Sequence, residues 1–184
     1  MKICVFCSSS DRIDESFLRA GRQFGIGLGR RGHELIYGGY GRGLMGEVAR
    51  GAYEAGAKIT AVVPAIFDDD RFIYQGCARV IRTPDLRTRK AVMQAEAGAF
   101  AVLPGGVGTY DEFFDTLALI SLGQLDTPVV ALDVGGFFSP LRKLLEDGVA
   151  RGFIGEGLTE RVVFYASVDE LLDGVEHVMA GKMR

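Results

Sequence analysis

Short apolar runs alternate along the chain with longer stretches in which apolar positions recur at helical spacing. The runs at 2–7, 34–37, 58–63, 99–103, 129–132 and 162–165 read as strands, with a weaker one at 78–82. They are apolar throughout rather than alternating, as expected of a sheet covered on both faces. Helical periodicity spans 16–31, 44–55, 86–97, 109–122, 140–151 and 168–179. In the first of these, Phe17, Ala20, Phe24 and Leu28 lie near one face, and Ser16 is the expected cap. Residues 66–76 fit neither period and read as an irregular excursion. Strand–helix alternation predicts an α/β fold: a doubly wound parallel sheet in three α/β/α layers, one domain over residues 1–184. Ligands of such sheets sit beyond the carboxyl ends of the strands. The loops after Cys7, Tyr37, Val63, Leu103 and Leu132 therefore carry the candidate chemistry.

Composition narrows the class. Apolar residues make up 48% and charged residues 24%, a globular balance rather than a disordered one. No run of about 18 apolar residues exists, and the chain turns polar by Ser8, too early for a secretory signal. Neither a membrane nor export is expected, and the expected location is cytoplasmic. Net charge is −3 with no basic stripe, so nucleic acid is not an expected partner. The three cysteines suit a reducing compartment. Cys4 and Cys7 form a CxxC, but within a strand these positions point to opposite faces, so two buried packing thiols are expected rather than a redox pair. Glycine is the outlier, at 26 of 184 residues, about twice the usual share.

Three glycine-rich or basic segments follow the strands. In 37–46, YGGYGRGLMG, the residues Gly41 to Gly46 satisfy GxGxxG between a strand and a helix. Amides there would favour a phosphate, and a purely structural turn is the competing reading. A nicotinamide dinucleotide is disfavoured, because the next strand ends without the acid that would hold a ribose. The segment Leu103 to Glu112, LPGGVGTYDE, is stronger. Gly105, Gly106 and Gly108 let the main chain wrap an anion in amides, and Thr109 is placed to cap the following helix. Glu112 lies one turn on, about 4.5 Å along the axis, beside the sugar of a bound nucleotide. A capping box between Thr109 and Glu112 explains the same spacing, and the two readings stay open. The third segment, Arg87-Thr88-Arg89-Lys90, places positive charge at a helix start, where an anionic ligand would offset its cost; a solvated basic turn is the alternative. Ser8, Ser9 and Ser10 are lesser candidates as donors. Asp68–Asp70 has no cage spacing and reads as a solvated acidic loop; no metal site can be argued, and His33 and His177 form no triad or zinc site.

Taken together, VFCSSS, YGGxxxGLMG, the RK of Arg89-Lys90 and PGGVGTYDE resemble the LOG family over roughly residues 2–155. Members are cytokinin riboside 5′-monophosphate phosphoribohydrolases, often labelled lysine decarboxylases. The resemblance implies a Rossmann-like nucleotide-binding sheet and a homodimer with the site near its interface. It implies hydrolysis of the N-glycosidic bond of a purine nucleoside 5′-monophosphate, N6-substituted adenine or AMP-like, with no metal or organic cofactor. Arg89 and Glu112 fall on the family's catalytic positions. Lys90, Gly106, Val107, Gly108 and Thr109 fall in its nucleotide-binding stretch, and Ser8, Ser9, Gly38, Gly39, Gly43, Met45, Gly46 and Gly105 are the further residues expected to bind substrate. A non-catalytic nucleotide or phosphate-cofactor carrier on the same fold is the alternative function. A decarboxylase would need a Schiff-base lysine, and Lys90 is the only candidate within a motif.

Overall fold

Six of the seven expected strands are the most apolar segments of the chain, and each finds cover on both faces where it lies inside the sheet. The computed structural model describes residues 1–67 and 69–182, with side-chain surroundings to residue 177. Among the described residues seven strands form one all-parallel sheet: β1 (Lys2–Phe6), β2 (Glu34–Tyr37), β3 (Ile59–Pro64), β4 (Arg79–Thr83), β5 (Ala99–Val102), β6 (Val129–Leu132) and β7 (Val162–Tyr165). Their spatial order is β4-β3-β2-β1-β5-β6-β7. The chain winds outward in one direction from β1 and in the other from β5, which makes the β1/β5 crevice the topological switch point. Register is set there by Ile3↔Ala99 through Phe6↔Val102.

Helices cover both faces: α1 (Glu15–Arg30), α2 (Gly43–Glu54), α3 (Leu86–Glu96), α4 (Val107–Ser121), α5 (Ser139–Ala150), the single turn α6 (Glu156–Thr159) and α7 (Val168–Lys182). Phe24 and Leu28 of α1, Leu44 and Val48 of α2 and Leu172 of α7 pack one layer against Ile3, Val5 and Leu35. Met93 of α3, Phe113 of α4 and Leu141 of α5 pack the other against Cys4, Phe6 and Phe100. The three-layer expectation therefore stands. Cys4 and Cys7 fall in opposite layers, both buried, and burial raises both thiols far above their usual value. Packing thiols result, not a redox couple.

Two local expectations, both of helix caps, need correction. The cap of α1 is Asp14, not Ser16; its Oδ1 accepts the Ser16 amide at 2.8 Å. Ser16 instead donates its hydroxyl to the same oxygen. Thr109 does not cap α4. That helix begins two residues earlier, with Gly106 at the cap position and no side chain closing it. The excursion between β3 and β4 is the crossover that two adjacent parallel strands demand. It begins with a 3-10 turn, Ala65–Phe67, and packs Ile73, Tyr74 and Cys77 onto the α1/α2 layer. Asp68, from the acidic run, lies outside the described residues. Asp69 pairs with Arg71 at 2.6 Å and Asp70 with Arg82 at 2.6 Å.

Candidate active site

The carboxyl ends of β1, β2, β3 and β5 open onto a cavity of about 540 Å³, within the range of small-molecule sites. The loop after β6 stays out of it. There Asp133 turns inward, accepting the Phe138 amide at 2.7 Å, and closes the loop on itself.

One wall is the start of α4. The first amides of a helix have no partner within it, and no side chain takes them here. Gly106 and Gly108 leave open space where a Cβ would stand, so nothing screens these amides from the cavity. Gly105 has a different task. A Cβ there would lie 2.1 Å from Thr109 Oγ1, so the glycine makes room for the buried threonine. The start of α2 faces the cavity less freely, because its Met45 amide already donates to the Ser8 carbonyl at 2.9 Å. Gly43 and Gly46 are structural. Gly43 takes φ +57° against the Ser10 carbonyl, and Gly46 lets the Gly41 carbonyl approach.

The floor holds a buried ion pair. Arg89 from α3 and Glu112 from α4 are 9% and 5% exposed, with Arg89 Nη2 3.0 Å from Glu112 Oε1. The charges touch, yet the N–H bonds are not directed at the oxygen. Among the described residues Glu112 Oε1 and Arg89 Nε have no hydrogen-bond partner. Buried polar atoms are normally satisfied. These two keep donor and acceptor capacity at the cavity floor. Burial pushes the Glu112 carboxyl up to about 7; Arg89 and Lys90 pull it down and Asp111 adds to the rise. The Arg89 fork lies so close to Gly38 that a Cβ there would be 2.1 Å from Nη2. The capping-box alternative for Glu112 is not formed, since α4 starts too early for it.

The basic segment divides its work. Asp85 caps α3 by accepting the Thr88 amide at 2.7 Å, which supplies negative charge to the helix start. Arg87 is exposed, Arg89 turns to the floor, and Lys90 reaches across to Asp111 and Asp115 of α4, at 3.0 and 2.9 Å. Burial would lower the Lys90 ammonium, but its bonds to the two carboxylates prevail and raise it. A Schiff-base lysine needs the opposite shift, so Lys90 does not fit a carbonyl cofactor.

The far wall is apolar. Tyr40 stacks on Phe72 with ring centroids 5.6 Å apart, and Tyr40 and Ile73 are joined by a backbone bridge. Phe67 and Leu86 complete the rim, half-exposed at 54% and 44%.

Comparison with known proteins agrees with this arrangement. A family model described as "Possible lysine decarboxylase" matches residues 45–175. The "Probable cytokinin riboside 5'-monophosphate phosphoribohydrolase LOGL1" of Oryza sativa subsp. japonica is 35% identical over 175 residues, covering 95% of this chain and 78% of that protein. The "Cytokinin riboside 5'-monophosphate phosphoribohydrolase LOG3" of Arabidopsis thaliana is 32% identical, covering 95% and 81%. The chain belongs to the LOG family. Among solved structures, the molybdenum cofactor carrier protein of Chlamydomonas reinhardtii superposes with a TM-score of 0.74 at 25% identity, covering 97% of this chain and 98% of that one.

Against the LOG expectation, the cavity gathers Ser8, Ser9, Gly38, Gly39, Met45, Arg89, Lys90, Gly106, Gly108, Thr109 and Glu112. Gly43, Gly46 and Gly105 shape its walls from behind, and Val107 points to solvent at 86% exposure. The sequence reading missed Tyr40, Phe67, Phe72 and Ile73 as lining residues. The available signal was three large apolar residues in a segment without period, just beyond a buried strand.

Proposed function

We propose that this protein hydrolyses the N-glycosidic bond of a purine nucleoside 5′-monophosphate to free base and ribose 5-phosphate. The observation that carries the reading is Glu112: a buried carboxylate with an unfilled oxygen, beside Arg89, one turn beyond the open amides of α4. Phosphate rests on the Gly106–Thr109 turn, where amides and helix dipole favour an anion. The ribose then lies over Glu112, and the base runs toward Tyr40, Phe72 and Leu86. As the bond from C1′ to the base nitrogen breaks, its electron pair leaves with the base and the sugar becomes oxocarbenium-like. Ionised Glu112 stabilises that charge and orients a water. The water oxygen bonds to C1′, its proton passes to Glu112, and Glu112 gives that proton up to the departing base nitrogen, directly or through solvent, and is ionised again. Arg89 holds the carboxylate in place and offers its remaining donors to the phosphate. The apolar wall favours adenine bearing an N6 substituent, and a homodimer would cover the exposed Val107, Phe114 and Leu122 of α4.

Incubation with AMP and N6-isopentenyl-AMP, with product analysis, tests the proposal. Free base and ribose 5-phosphate are expected; no release from either nucleotide by folded protein overturns it. The likeness to a molybdenum cofactor carrier favours a second reading, binding without cleavage. Thermal stabilisation by a nucleotide that is recovered intact would select that one.

A further inference from the structure

The Lys90 ammonium faces two ways, and its partners decide which matters. It lines the cavity, as a phosphate ligand would, but its side chain is only 16% exposed and both near neighbours are carboxylates of α4. Asp115, which does not line the cavity, also accepts from Gln94 Nε2 at 2.7 Å. Lys90 and Gln94, one turn apart on α3, thus grip one carboxylate on α4. Thr116 beside it donates its hydroxyl to the Glu112 carbonyl at 2.8 Å. The clasp sits beside the ion pair between the two reacting side chains, Arg89 on α3 and Glu112 on α4.

We propose that Lys90 is a positioning residue: clasped between Asp111 and Asp115, it fixes α3 against α4 so that Arg89 meets Glu112, and it does not bind the substrate's phosphate. This rests on the hydrolase reading for its kinetic test, but not for its physical one. An ammonium shared by two carboxylates is already neutralised. Turning it toward a phosphate would strip Asp115 of its cation and leave a half-buried acid with only an amide donor. The open amides of α4 supply anion binding without that loss. The clasp also acts on Glu112 through space. The groups that face Glu112 are Arg89 and Lys90 of α3, Asp111 of its own helix, and the protonated thiols of Cys4 and Cys7 at β1.

The experiment compares Lys90→Met, Lys90→Arg and Asp115→Asn with the parent, each checked by circular dichroism and thermal melting. With AMP or N6-isopentenyl-AMP, Lys90→Met should lower kcat about tenfold or more and leave KM within about twofold. Lys90→Arg, whose fork spans both carboxylates, should restore most of the rate. Asp115→Asn should also lower kcat, and combining it with Lys90→Met should cost less than the two losses added. A phosphate ligand would behave otherwise: Lys90→Met would raise KM about tenfold with kcat retained, and that result overturns the proposal. A ¹³C NMR titration of the Glu112 carboxyl needs no turnover. Loss of the Lys90 charge should move its titration up by about half a pH unit, and Asp111→Asn should move it down. An unmoved titration in a folded Lys90→Met protein overturns the clasp. If the parent releases no base, the hydrolase reading falls and the titration alone decides the role of Lys90.

Discussion

Glu112 carries charge where charge is expensive. Its folded-state value near 7 lies above the ordinary 4.5, so the folded protein holds a proton that the unfolded chain has released. Stability from this group is therefore intact below about pH 4.5 and is lost as pH rises through about 7. Glu112→Gln removes the titration. Relative to the parent, the variant should gain about 3 kcal/mol between roughly pH 4 and pH 8, read by urea unfolding at both. For the proposed hydrolysis the sign is opposite, because that reaction assigns the work to the ionised form. The kcat/KM profile should rise with pH to a plateau above about 7, and Glu112→Gln should lower turnover about a thousandfold while still binding nucleotide. An unchanged rate would remove Glu112 from the reaction. Gly38 offers a finer probe. A Cβ there meets only side-chain ends, the Arg89 guanidinium and Met45 Cε, so Gly38→Ala should lower kcat about tenfold with little change in Tm.

At the scale of elements, α1 and α2 are held together by absent side chains. A Cβ on Gly25 of α1 would stand 2.2 Å from the Val48 carbonyl, and one on Gly51 of α2 would stand 2.2 Å from the Arg22 carbonyl. Backbone cannot step aside as a side-chain tip does. Gly25→Ala and Gly51→Ala should each cost about 3 kcal/mol or more in chemical denaturation, by the overpacking mechanism. Gly56, at φ +77° with open space around it, should cost only about 1 kcal/mol. The same scale shows what sequence can reveal. Strands β1, β2, β3, β5 and β6 were legible because burial on both faces leaves an unbroken apolar run. The polar part of the site was legible because glycines, serines and a charged pair at strand ends have few other uses. The start of α4 was placed two residues late, since sequence signals of a cap assume a side chain and Gly106 has none. The roof over the cavity left only a faint signal, large apolar residues without a period. Phe67 ends a single 3-10 turn and Phe72 and Ile73 lie in the irregular crossover beyond it, so no period marks their direction.

For the whole molecule, three of the exposed apolar residues lie along α4 and at its C-terminal end. Val107 and Leu122 are 86% and 70% exposed, with Phe114 between them at 39%. These three are spaced so that they fall near one stripe of the helix, starting beside the amide wall of the cavity. A second copy covering this stripe would bury it and close the site's rim. Sedimentation velocity should show a dimer for the parent and a monomer for Phe114→Glu. A parent that stays monomeric at micromolar concentration would discard the homodimer. No helix among the described residues is long and apolar enough to cross a membrane.

The strap from β3 to β4 has a consequence for how such a site diversifies. Its tie to the rest of the pocket is a main-chain bridge between Tyr40 and Ile73, which any pair of residues can make. Its aromatic side chains, by contrast, lie over the place assigned to the base, Phe67 half-exposed and Phe72 stacked on Tyr40. Descendants of this chain could exchange those rings for other shapes and accept new nucleobases, while the anion cradle and the reacting carboxylate stayed untouched on the opposite bank.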